Sequence, residues 1–225
     1  MCSRRPVICL VSDRKRHGGE RALLRRVSAA SAAGVHLIQI RERDLDAGAL
    51  VRLVRQCLGA VDRRRTRVLV NDRLDVALAA GADGIHLRGD SMPAARARTL
   101  APRGFLIGRS IRGEVEARDV CRDGGVDYLI FGTVFPSRSK PAGEASGSAA
   151  LARVVRAASV PVLAIGGINA ATIAGVADSG ACGVAAIDLF FTAAETDMPS
   201  VISMVAEAFR GPRERVGRAP SLSPR

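Results

Sequence analysis

A chain of 225 residues with 48% hydrophobic and only 3% aromatic residues suits one large α/β domain with an aliphatic core. The formal net charge of +12 is almost wholly arginine, because Lys15 and Lys140 are the only lysines. The basic runs form no stripe along one helix, and a single tyrosine with no tryptophan offers no platform for stacking bases, so specific nucleic-acid binding is not expected.

In chain order, an apolar run predicts a first strand over Val7–Ser12, and a helix over Glu20–Ala33 follows. Strands are then expected at His36–Arg41, Arg67–Asn71 and Gly84–Leu87, with helices at Ala47–Leu58, Arg73–Ala80 and Pro93–Leu100 after them. The second half repeats the pattern. Its strands are Leu106–Ser110, Tyr128–Phe131, Val162–Gly166 and Gly183–Ile187; its helices are Glu114–Asp123, Ala149–Ala157, Ala170–Ser179 and Pro199–Phe209. Most strands are apolar throughout, as parallel strands buried on both faces are. Gly34, Gly81, Gly124 and Gly180 stand where helices should stop.

Eight strand–helix units in about 210 residues predict a (β/α)8 TIM barrel, a single domain over residues 1–210. An open doubly wound sheet would carry a glycine-rich phosphate fingerprint after its first strand, whereas this one runs into Ser12-Asp13-Arg14. Residues 211–225, with three prolines and no apolar period, read as a disordered basic tail. Five dispersed cysteines without a C-x-x-C pair argue for reduced thiols and a cytoplasmic chain. No apolar run is long enough to cross a membrane, and the N-terminus is too short in apolar residues for a signal peptide.

In such a barrel the chemistry gathers at the C-terminal strand ends. Strand two ends in Gln39-Ile40-Arg41-Glu42-Arg43, where alternation puts Gln39, Arg41 and Arg43 on one side and brings two guanidiniums toward phosphate oxygens. Strand three ends in Asn71-Asp72; Asp72 suits either Mg²⁺ beside substrate phosphates or the cap of the following helix. Strand four brings His86, read as a satisfied core histidine, and beyond it Asp90, a candidate second metal ligand. Ser110 ends strand five. The loop after strand six carries Ser137, Ser139 and Lys140, two hydroxyls and an ammonium fit to grip an anion. Gly166-Gly167 after strand seven allow backbone N–H groups to approach a phosphate at a helix start, and Ile187-Asp188 ends strand eight.

Together these motifs resemble the thiamine phosphate synthase family and the related thiazole tautomerases, from Val7 to about Phe191. The resemblance rests on Ile38-Gln39-Ile40-Arg41-Glu42-Arg43, Val70-Asn71-Asp72, Ala82-Asp83-Gly84-Ile85-His86-Leu87, the run Gly132 to Lys140, and Ala164-Ile165-Gly166-Gly167-Ile168. It implies a Mg²⁺-dependent transferase that joins a hydroxymethylpyrimidine diphosphate to a thiazole phosphate and releases diphosphate. It further implies that Gln39, Arg41, Arg43 and Asn71 hold the pyrimidine diphosphate, that Asp72 binds Mg²⁺, and that Ser110 and Lys140 act on the leaving group. Ser137, Ser139, Gly166, Gly167, Ile187 and Asp188 would take the thiazole phosphate. Four departures from the family pattern stand out. The second metal carboxylate falls at Ser91, with Asp90 one residue early; Arg112 replaces a histidine; serines replace threonines at 137 and 139; and Asp188 replaces a serine. The alternatives are a tautomerase-like isomerase and a non-catalytic thiamine phosphate-binding paralogue. The expected partners are phosphorylated small molecules, and a homo-oligomer is left open.

Overall fold

A computed structural model of the chain describes residues 5–137 and 145–210. Ser139, Lys140 and the tail expected at 211–225 therefore lie outside the described residues.

Eight parallel strands close into a ring in chain order. They are β1 (Val7–Val11), β2 (Leu37–Ile40), β3 (Arg67–Asn71), β4 (Gly84–Leu87), β5 (Leu106–Ile111), β6 (Tyr128–Gly132), β7 (Val162–Ile165) and β8 (Gly183–Ala186). The helices are α1 (Gly19–Ala33), α2 (Ala47–Gly59), α3 (Leu74–Ala80), α4 (Ala94–Leu100), α5 (Glu114–Asp123), α6 (Gly147–Ala157), α7 (Ile173–Asp178), α8 (Asp188–Phe191) and α9 (Met198–Ala208). The expected barrel is what forms. Helix ends follow local chemistry: Asp46 accepts from Ala49 N–H at 2.8 Å to cap α2, and Gly34 and Gly81 stop α1 and α3 with φ of 100° and 72°.

Alternation along each strand sends one set of side chains outward against the helices and the other into the ring. The ring interior is packed with Cys9, Val11, Leu37, Leu69, Tyr128, Ile130 and Leu163 among others. Tyr128 fits there because residue 108 is glycine; a Cβ at that point would lie 2.1 Å from the phenol ring.

The N-terminal end of the barrel is closed by a repeated device. The residue just before β2, β4 and β6 (His36, Asp83 and Asp127) donates its backbone N–H to the preceding strand and accepts that same residue's N–H with its side chain. The pairs are His36 with Ile8, Asp83 with Val68 and Asp127 with Ile107, with side-chain distances of 3.2, 2.8 and 2.7 Å. Before β8, Cys182 N–H reaches Val162 O in the same way. Burial lowers the pKa of His36, which keeps its Nδ1 available as an acceptor.

The sequence reading needs three local corrections. The helix expected from Ala170 begins at Ile173, because Asn169 Oδ1 draws the N–H groups of Ala171 and Thr172 into a turn. The short α8 and a 3₁₀ turn at Glu195–Asp197 fill the stretch between strand eight and the last helix, where none was expected. Cys9, Cys57 and Cys121 are free thiols, but Cys182 is disulfide-bonded, against the expectation of reduced cysteines. Among the described residues, no helix is long and apolar enough to cross a membrane.

Candidate functional site

At the C-terminal end of the ring, β2 and β3 are joined through their last inward side chains. Gln39, 3% exposed, donates from Nε2 to Asn71 Oδ1 at 3.0 Å, so the N–H groups of the Asn71 amide can point to a ligand above the barrel. Strand geometry stops at Ile40, and from there the chain departs from the expected alternation. Glu42 turns inward and is buried, while Arg43 is exposed. Glu42 accepts from Ser12 Oγ at 2.5 Å and from the Arg14 N–H at 3.1 Å, and Ser12 Oγ in turn accepts the Arg41 N–H at 2.8 Å. This network ties the ends of β1 and β2 and sets the backbone from which Arg41 projects. Burial raises the pKa of Glu42, opposed by its hydrogen bonds to Ser12 and Arg14.

Arg41 is half-buried. Burial lowers its pKa, and the neighbouring guanidiniums of Arg43 and Arg88 lower it further. A cationic group held against its like is poised for an anion. Arg43, Asn71, Asp72 and Arg88 line one cavity of about 200 Å³ together with Glu42 and Arg73. Thus the sequence-derived Arg43, Asn71 and Asp72 come together as expected; Arg41 joins them through its field, not as a lining residue.

Asp72 does not cap α3. It has φ of 63°, the one positive value at a non-glycine among the described residues, and α3 takes no side-chain cap. The left-handed backbone turns its carboxylate toward β4, 3.7 Å from the guanidinium of Arg88. Arg88 also pairs with Asp90, at 2.5 Å.

Deeper in the ring, His86 is 2% exposed and uses both ring nitrogens. Nδ1 lies 3.2 Å from the Tyr128 hydroxyl and Nε2 lies 2.8 Å from Ser110 Oγ. Burial and the Arg109 charge push its pKa down to about 3, so it is neutral at physiological pH and orients Ser110 without carrying charge. Cys9 and Cys57 are pushed up to about 12 by burial, so neither thiol is a nucleophile here.

On the opposite side of the mouth, Gly166 and Gly167 have φ of 99° and 63°. A Cβ at 167 would lie 2.4 Å from Pro136 O, and one at 166 would lie 2.5 Å from Thr133. The two glycines thus let the β7 loop seat the loop after β6, which carries Ser137. Since α7 starts six residues further on, no helix terminus stands directly behind them. Asp188, which stands where the family pattern has a serine, is paired with Arg16 at 3.5 Å and lies 3.9 Å from His17 Nε2, next to Ile187 just past β8.

The chain as a whole is similar to known proteins. A family model described as thiamine monophosphate synthase matches residues 8–190. The chain belongs to that family. A thiamine-phosphate synthase of Anaeromyxobacter dehalogenans is 41% identical over 193 residues, covering 85% of each chain. One of a Roseiflexus species is 41% identical over 182 residues, covering 80% of this chain and 76% of the relative. A solved thiamine phosphate pyrophosphorylase from Pyrococcus furiosus superposes with a TM-score of 0.78 at 28% identity, over 91% of this chain and 97% of that one. With family membership comes the activity: a transferase of thiamine biosynthesis.

The family also implies Mg²⁺, and the donors present do not fit a ready-made site for it. Asp72 and Asp90 are both engaged by Arg88, residue 91 offers a hydroxyl in place of a carboxylate, and among the described residues no three acids, histidines or cysteines gather as a metal cage. Sequence reasoning missed Glu42 and Arg88 as parts of the site. Glu42 sat inside a charged run, where burial leaves no trace in sequence. Arg88 directly follows Leu87 at a strand end, a position that should have singled it out.

Proposed function

We propose that this chain joins hydroxymethylpyrimidine diphosphate to thiazole phosphate at the C-terminal mouth of the barrel, forming thiamine phosphate. The observation that carries the reading is the meeting of Asn71, bound to Gln39, with Arg43 and Arg88 at one cavity within the field of Arg41, in a chain of this family. The bond from the pyrimidine methylene to the diphosphate oxygen breaks, and its electron pair leaves with diphosphate. The thiazole nitrogen lone pair then makes the new C–N bond, so no proton has to move between the partners. What the protein must supply is orientation and compensation of the charge that grows on the leaving group.

Asn71 and Gln39 orient the pyrimidine portion, Arg41 and Arg43 face the diphosphate, and Ser110, held by His86, touches the leaving group. Lys140 grips diphosphate, and Ser137, Ser139, Gly166, Gly167 and the Ile187-Asp188 corner receive the thiazole phosphate, with Arg16 offsetting the Asp188 charge. We place the enzyme in the cytoplasm; three free cysteines among the four described support that reading.

The test is direct. Purified full-length protein supplied with both substrates and Mg²⁺ is expected to release one diphosphate for each thiamine phosphate formed. Absence of product at high enzyme concentration would reject the reading, and tight thiamine phosphate binding without turnover would identify a binding paralogue.

A further inference from the structure

We propose that Arg88 stands in for the divalent ion: its guanidinium, fixed by Asp72 and Asp90, compensates the leaving diphosphate, and turnover does not require Mg²⁺. The inference rests on the synthase reading. Three features of the β4 end support it.

First, the position a cation would take between the two acidic side chains is already filled. The Ser91 N–H donates to Arg88 O at 3.2 Å, and this turn brings Asp90 back beside the guanidinium, while the left-handed backbone at Asp72 presents the second carboxylate from β3. A guanidinium is permanently charged and carries five N–H donors. Two carboxylates engage part of that set, which leaves donors for phosphate oxygens in the planar fork that suits them.

Second, the acidic loop is not free to rebuild itself around an ion. Arg109, 9% exposed, lies beneath it and donates to Gly89 O at 2.7 Å, Met92 O at 2.8 Å and Ser91 O at 3.4 Å. Swinging Asp90 or Ser91 into a closer cage would break charge-assisted bonds to a buried guanidinium, which is a costly loss. Third, Mg²⁺ demands near-octahedral oxygen ligation at close range. Residue 91, where the family places a carboxylate, is serine.

Arg43 also lines the cavity, and Arg41 lies within electrostatic reach of Arg43 and Arg88, so further guanidiniums are at hand without a metal.

The experiment compares chelator-treated wild type and Arg88→Ala, each with both substrates, in excess EDTA and in millimolar Mg²⁺. Wild-type turnover in EDTA is expected to lie within about tenfold of that in Mg²⁺. Arg88→Ala is expected to fall roughly a hundredfold or more in EDTA. Because the Arg88 side chain is 42% exposed, its removal spares the core. Wild-type activity abolished by EDTA, or an Arg88→Ala enzyme as active in EDTA as wild type, overturns the proposal. A second readout separates it from the synthase reading: calorimetric titration with inorganic diphosphate in EDTA. If neither enzyme makes product in any condition, the synthase reading fails. Metal-free diphosphate binding that Arg88→Ala loses then still upholds the assignment of Arg88, whereas binding that appears only with Mg²⁺ overturns it.

Discussion

At the N-terminal end of the barrel, Asp83 and Asp127 each accept a backbone N–H from the neighbouring strand and pair with an arginine, Arg63 at 2.7 Å and Arg98 at 2.5 Å. At the C-terminal end, Asp72 and Arg88 are drawn from the same two residue types. There the carboxylate caps no helix and accepts one backbone N–H, that of Arg88, at a long 3.5 Å; it holds the Arg88 guanidinium at the edge of a cavity also lined by Arg43. The difference lies in what the acid satisfies. Below, it completes the backbone hydrogen bonding of the sheet, and the arginine is a counter-ion. Above, the acid makes a single long backbone contact, and its charge meets a side chain at the cavity edge. One end reads as stability and the other as chemistry.

Substitutions at the two ends should therefore separate. The largest expected effect is on the proposed chemistry: Lys140→Ala lowers kcat by roughly a hundredfold to a thousandfold, the scale for removing one charge donor to the leaving group. Its denaturation midpoint should match wild type. Full turnover in this variant would remove Lys140 from the leaving-group site.

His86 lies between the two ends, and pH probes it. Its folded pKa, about 3, lies below its ordinary value of 6.5. The unfolded chain therefore takes up the proton first. The folded state is undisturbed above about pH 6.5 and loses about 1.4 kcal/mol for each pH unit below it, until pH approaches about 3. Urea unfolding at pH 7 and pH 5 should show wild type losing roughly 2 kcal/mol more than His86→Gln over that interval. Equal losses in the two proteins would mean that His86 titrates normally and is not enclosed as described.

The smallest effect belongs to the lower end. Asp83→Ala leaves the Val68 N–H without its side-chain acceptor and should cost about 1–3 kcal/mol of stability. Steady-state kinetics at a temperature where the variant is folded should be unchanged. A stable but inactive Asp83→Ala enzyme would erase the contrast between the two ends.

The sequence by itself determined the barrel. Parallel strands buried on both faces are apolar along their whole length, glycines end their helices, and neither pattern needs distant residues to be recognised. It also placed Gln39, Arg43, Asn71 and Asp72 correctly at one mouth, because in this fold a strand end is a location in space. Tertiary structure alone decided the rest. The repeated closing device of His36, Asp83 and Asp127 depends on which strand lies alongside, and the burial of Glu42 depends on Ser12 arriving from β1. The pairing of Arg88 with Asp72 arises between β3 and β4, which the parallel sheet brings side by side, whereas Asp90 is a partner two residues away in sequence. Local pattern reports what a residue does to its own backbone. Which charge it meets across the mouth is set by the closed sheet.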